Sequence, residues 1–135
     1  NTWRESAAMD DKVKIKAGRK KNNHISVSIQ GEAGIYAVAR LREELLKHMK
    51  AVQSMEIDLS EVSEMDTAGF QLFVALKREA VKSGKTLSLV GHSPAVLRVF
   101  DLYGAIGFFG DRIKVPASQR GNYAFRYGLK TRKQA

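Results

Sequence analysis

The chain has 135 residues, 44% of them hydrophobic, with no cysteine and a formal net charge of +9 at neutral pH. This length and apolar content suit one globular domain with a real core and argue against disorder. The lack of cysteine excludes a disulfide framework and a thiolate zinc site, and no apolar run approaches the ~18 residues a membrane-spanning helix needs.

Residues 1–12 carry little pattern and are expected to form a mobile arm, with Trp3 in it as the only tryptophan. The chain opens on Asn1 rather than Met, so the natural N-terminus is expected to lie further upstream, and no secretory leader is read there. Val13 to Ala17 alternates and reads as an edge strand with lysines outward. Gly18 to Asn23 is a turn by composition. Its Arg19-Lys20-Lys21 reads either as a solvated hairpin tip or as an anion or membrane patch. His24 to Gln30 alternates cleanly with Ile25, Val27 and Ile29 inward, so the two strands predict an antiparallel hairpin. Gly31 to Gly34 is expected to break the second strand.

From Ile35 the period becomes helical, with Ile35, Val38, Leu41, Leu45 and Met49 on one face and Leu46 beside it. Met55 to Ser60 returns to strand alternation. A polar hinge follows, and Asp66 or Thr67 then caps a helix running from about Thr67 to Ser83, with Gly84 as its stop. That helix carries two apolar stripes about 100° apart. Gly69, Leu72, Phe73, Leu76 and Ala80 form the first; Phe70, Val74 and Val81 form the second. The second stripe is either covered by neighbouring helices or forms, through Phe70 and Val74, an exposed partner surface beside Asp66 to Gly69. Thr86 to Val90 is a strand. Ser93 then caps a third helix with Pro94 at its first position and Val96, Val99, Phe100 and Tyr103 on one face. Ile106 to Val115 supplies a further short strand or an irregular edge. Strands alternating with helices imply an α/β fold whose sheet contains parallel pairs joined by right-handed crossovers.

The stretch Ile57-Asp58-Leu59-Ser60-x-Val62, followed by Met65-Asp66-Thr67-Ala68-Gly69, resembles the STAS domain of bacterial anti-sigma factor antagonists. That domain is also found in sulfate transporters and in subunits of lipid ABC transporters. The resemblance continues through Gly84 to Val90 and Ser93 to Val96. It implies a single STAS domain over residues 13–115: a small, mixed, mostly parallel sheet backed by helices, with an N-terminal hairpin. The start of the second helix would be exposed. In such antagonists a kinase phosphorylates the serine immediately before glycine in an Asp-Ser-Ser-Gly motif. Ala68 occupies that position here and has no hydroxyl, so the usual phosphoswitch is not expected. Thr67 matches the preceding serine and reads as a cap or, less favoured, as an acceptor. Lipid-transporter subunits, and STAS proteins encoded beside chemotaxis genes, resemble the Asp-Thr-Ala-Gly form.

The resemblance therefore implies a non-enzymatic, cytoplasmic regulatory module that binds a protein partner through Asp66, Thr67, Ala68, Gly69, Phe70 and Val74. The partner would be an anti-sigma factor or a signalling histidine kinase, or alternatively the ATPase of a lipid-transport ABC system. No catalytic residue, cofactor or metal is assigned. Gly84-Lys85-Thr86 imitates the end of a phosphate-binding loop, but the earlier glycine would fall at Glu79 and the segment ends a helix instead of opening one. His24, His48 and His92 lack ligand-like spacing, and His92 reads as a solvated or capping residue near a turn. Asp58, Asp66 and Asp101 are not required by spacing to pair. The charge is unevenly divided: +4 on residues 1–24, −1 on residues 25–113 and +6 on residues 114–135. That favours basic arms on a neutral domain. The basic tail, residues 116–135, interleaves Tyr123, Phe125 and Tyr127 with cations. It reads as packed aromatics with solvated lysines, as a contact for single-stranded nucleic acid, or as one for an acidic protein or membrane surface.

Overall fold

The computed structural model describes residues 12–103. Four strands, β1 (Val13–Ala17), β2 (His24–Ala33), β3 (Ser54–Met65) and β4 (Thr86–Val90), lie in sequence order in one sheet. β1 runs antiparallel to β2, while β2, β3 and β4 are parallel. Three helices complete the order: α1 (Val38–Ala51), α2 (Thr67–Lys82) and α3 (Pro94–Leu102). The expected α/β class, mostly parallel sheet and N-terminal hairpin are all present.

The hairpin turns at Asn22 and Asn23, with φ of 52° and 62°. Lys21 and His24 exchange both backbone hydrogen bonds across it. Asparagine tolerates this left-handed backbone, which matches the twist of the flanking strands. Register then sets the faces. Ile25 opposes Met55, which opposes Leu87; Val27 opposes Ile57, which opposes Leu89. All six are buried in one core with Leu41, Leu45 and Met49 of α1, with Leu72, Phe73 and Leu76 of α2, and with Val96 and Phe100 of α3. The helices therefore cover one face of the sheet, and the alternate positions Ser26, Gln30, Glu56 and Asp58 point to the other.

Several expected boundaries move. β2 does not break at Gly31 but continues to Ala33 through a register shift. Gly31 permits this with φ of 105°, and a Cβ there would sit 2.0 Å from the Lys12 carbonyl oxygen. The supposed hinge after Ser60 is strand as far as Met65, because Gln30 to Ala33 offers it a pairing edge and Val62 turns inward. α1 begins at Val38 instead of Ile35, leaving Ile35 and Tyr36 in a turn. The expected strand within Ile106 to Val115, the N-terminal arm and the basic tail lie outside the described residues. Among the described residues, no helix is long and apolar enough to cross a membrane.

Candidate functional site

The start of α2 is assembled from three segments. Asp66 is its N-cap, with extended backbone, and Oδ1 accepts the Gly69 amide at 2.9 Å. Oδ2 accepts the Ile35 amide at 2.9 Å, so one carboxylate joins the turn before α1 to the first turn of α2. Gly34 makes room for it: a Cβ at that position would lie 2.9 Å from Oδ2. Gly69 makes room for the backbone. A Cβ there would stand 2.0 Å from the Ala33 carbonyl oxygen, so α2 rests directly on the end of β2. Glycine at 69 is required by close approach, although its φ is ordinary.

The third segment is the end of α3. The hydroxyls of Thr67 and Tyr103 share a hydrogen bond of 2.5 Å. The Tyr103 ring stacks on Phe70 with centroids 4.8 Å apart, and Phe70 meets Phe100 edge-on at 5.4 Å. Phe70 is therefore only 8% exposed: of the two readings open from the sequence, cover by a neighbouring helix is the one found, and Phe70 does not form an exposed partner surface. α3 covers that side of α2. Val74 is half-buried and packs against the core, whereas Val81, on the same stripe, is exposed. Tyr103, expected on the inward face of α3, remains 46% exposed.

Around the α2 start, Asp66 and Thr67 are exposed, Ala68 is half-buried and Gly69 is buried. Ile35 and Tyr36 stand beside them at 63% and 71% exposure. A cavity of about 290 Å³ is lined by residues of both groups, Ile35, Tyr36 and Asp66, with Lys12, Glu32 and Glu64 among others. The sequence missed Ile35 and Tyr36 because Ile35 fitted the helical period. The available signal was Gly34, which allows a turn to persist before a helix starts.

Other sequence candidates fall elsewhere. Lys85 donates to the carbonyl oxygens of Met49 and Val52, both at 2.7 Å, so it caps the end of α1 and is no phosphate ligand. Asp58 accepts the Ser60 amide at 2.8 Å. His24 bonds the Ser54 hydroxyl at 2.8 Å. His92 is not solvated: it is 8% exposed, lies edge-on to Phe100, and neither ring nitrogen has a hydrogen-bond partner. Burial lowers its pKa to about 4. Among the described residues, no group of three or more His, Cys, Asp or Glu residues is placed to hold a metal.

The site is thus a capped helix start at the end of an α/β sheet, with two exposed apolar side chains held beside it. The family model described as "Mlab, STAS domain" matches residues 17–109, and the chain belongs to the STAS domain family. The anti-sigma-B factor antagonist of Bacillus subtilis (strain 168) is 32% identical over 103 residues, covering 76% of this chain and 91% of that protein. The protein of the same name from Listeria monocytogenes is 29% identical over 93 residues, covering 68% and 82% of the two chains. The anti-sigma factor antagonist SpoIIAA, in its unphosphorylated form, shares the fold with a TM-score of 0.62 at 21% identity, covering 81% of this chain and 96% of that one.

Proposed function

We propose that this protein is a regulatory STAS module of the anti-sigma factor antagonist type that acts by binding a partner protein. The contact surface comprises Asp66, Thr67 and Ala68 together with Ile35 and Tyr36; Gly69 and Phe70 lie beneath and hold it in place. The observation that carries the reading is the exposed apolar pair fixed beside an exposed helix start by one carboxylate. The names of the relatives, anti-sigma-B factor antagonists, support an anti-sigma factor as the class of partner; a signalling histidine kinase is the variant that the motif resemblance implies.

Control by a phosphate at the position before Gly69 is absent from this reading. Ala68 offers no acceptor oxygen, and the Thr67 hydroxyl is engaged by Tyr103. A phosphate there would bring about −1.5 to −2 charge beside Asp66 and across the contact surface. Binding is therefore constitutive with respect to this site. Isothermal titration of the co-purified partner tests the reading. Tyr36→Asp and Thr67→Glu should each weaken binding at least tenfold, with Arg42→Gln as an indifferent control. Unchanged affinity in both would overturn it.

The Asp66-Thr67-Ala68-Gly69 sequence also supports a second reading, docking of the ATPase of a lipid-transport ABC system by the same surface. Co-purification with an ATPase would decide for it. Nucleic-acid binding through the basic ends rests on the charge division alone.

A further inference from the structure

Three turns meet at the end of the sheet opposite Asp66. The Asn23 carbonyl oxygen accepts the amides of Gln53 and Ser54 at 3.0 and 3.2 Å. The Gln53 carbonyl oxygen accepts the Thr86 amide at 3.0 Å, and the Gln53 side chain donates to the Gly84 carbonyl oxygen at 2.5 Å. The hairpin tip is thereby fixed to the ends of α1 and α2. These segments carry Arg19, Lys20 and Lys21 on the tip, Lys50 in the last turn of α1 and Lys82 in the last turn of α2, all exposed. None of the five is ion-paired among the described residues.

Lys50 and Lys82 complement the negative ends of their helices, which is an ordinary structural role. Arg19, Lys20 and Lys21 have no such role. Residues 16–24, from the end of β1 through the tip, contain four cations and no anion. Val81 stands next to Lys82 at 71% exposure, so the cationic surface includes an apolar side chain. Among the described residues, the large hydrophobic side chains left exposed are Ile35, Tyr36, Val81, Leu102 and Tyr103, and neither tyrosine belongs to these turns. An aromatic platform of the kind that stacks nucleic-acid bases is therefore not among them.

We propose that this basic end is a docking surface for an anionic phospholipid bilayer. Long cationic side chains reach the headgroups, and Val81 enters the interfacial layer. The proposal does not depend on the partner-binding reading. β3, with 12 residues, separates the two ends by roughly 40 Å. A membrane-bound molecule thus leaves the Asp66 end facing away from the bilayer.

Co-sedimentation of the full chain with phosphatidylcholine vesicles, with and without phosphatidylserine, tests this. The wild type should bind only the phosphatidylserine vesicles, less at higher salt. Arg19→Gln/Lys20→Gln/Lys21→Gln should lower the affinity by at least about tenfold, given roughly fivefold per cation near such a surface. Val81→Asp should also weaken it. Lys12→Gln/Arg42→Gln/Arg98→Gln removes the same number of charges elsewhere and should change it by less than about threefold. Equal losses in the two triple variants would overturn the proposal by making net charge or the tail responsible. No binding by the wild type, or binding of duplex DNA that exceeds vesicle binding and is lost in the hairpin variant, would overturn it as well.

Discussion

Asp66→Ala tests the construction of the α2 start, because one carboxylate serves two amides in different segments. Losing an N-cap acceptor costs about 1 kcal/mol. Losing the second bond, from Ile35, adds about 1 kcal/mol. Asp66 is exposed, so water replaces part of each contact, and a total of roughly 1–2 kcal/mol is expected. At roughly 4–8 °C per kcal/mol for a small domain, the Tm should fall by about 5–15 °C. Hydrogen exchange separates the two contributions. The Ile35 amide, held at 2.9 Å by Oδ2, should lose protection along with the Gly69 amide. Asp66→Asn keeps one acceptor oxygen but turns an NH2 group toward the other amide, so one of the two amides alone should lose protection. A variant that melts with the wild type, or in which Ile35 keeps its protection, would refute the claim that this carboxylate joins the two segments.

Gly69→Ala should destabilise by about 1–3 kcal/mol in urea unfolding despite the better helix propensity of alanine, because the new methyl meets the Ala33 carbonyl at 2.0 Å. A stabilised variant would show that α2 does not rest there. Lys85→Met should cost about 1–3 kcal/mol by removing charged donors from the Met49 and Val52 carbonyls, with no effect on partner affinity. His92 makes stability fall in acid. The unfolded chain binds its proton below about pH 6.5 and the folded chain only near pH 4, so protons favour unfolding between those values. The loss approaches about 3 kcal/mol at the acid end. In urea titrations at pH 7.5 and pH 5, His92→Leu should show a smaller acid loss than the wild type; an identical loss would remove His92 as the cause.

The order of elements and the buried faces were legible because period alone decides them. Ile25, Val27 and Ile29 alternate, and Leu41, Leu45 and Met49 recur on one helical face, and the core uses all six. What escaped depends on contacts distant in sequence. Gly31 and Glu61 to Met65 looked like breakers, since polar or glycine-containing stretches read as turns. They are strand because each offers the other a partner. Phe70 lies where a lone amphipathic helix would expose it. Only the arrival of α3, 30 residues later, with Phe100 and Tyr103 on its near side buries it. His92 escaped for a related reason: its neighbours are polar or glycine in sequence, yet the fold places an aromatic ring against it.

That difference changes how the proposed surface works. Had Phe70 been exposed, recognition would rest on a flexible apolar side chain on α2. Instead the ring is clamped between α2 and α3, while Gly69 sits on the Ala33 carbonyl and Asp66 holds Ile35. Three segments are thus fixed relative to one another before any partner arrives, which lowers the ordering cost of binding. A rigid surface of this kind is poorly suited to switching by a small local movement. A charge added at position 68 would act by repulsion at the interface, and alanine removes even that route. Under the proposed reading, regulation must act on which molecules reach the surface: on the partner's own state, or on where the module is held.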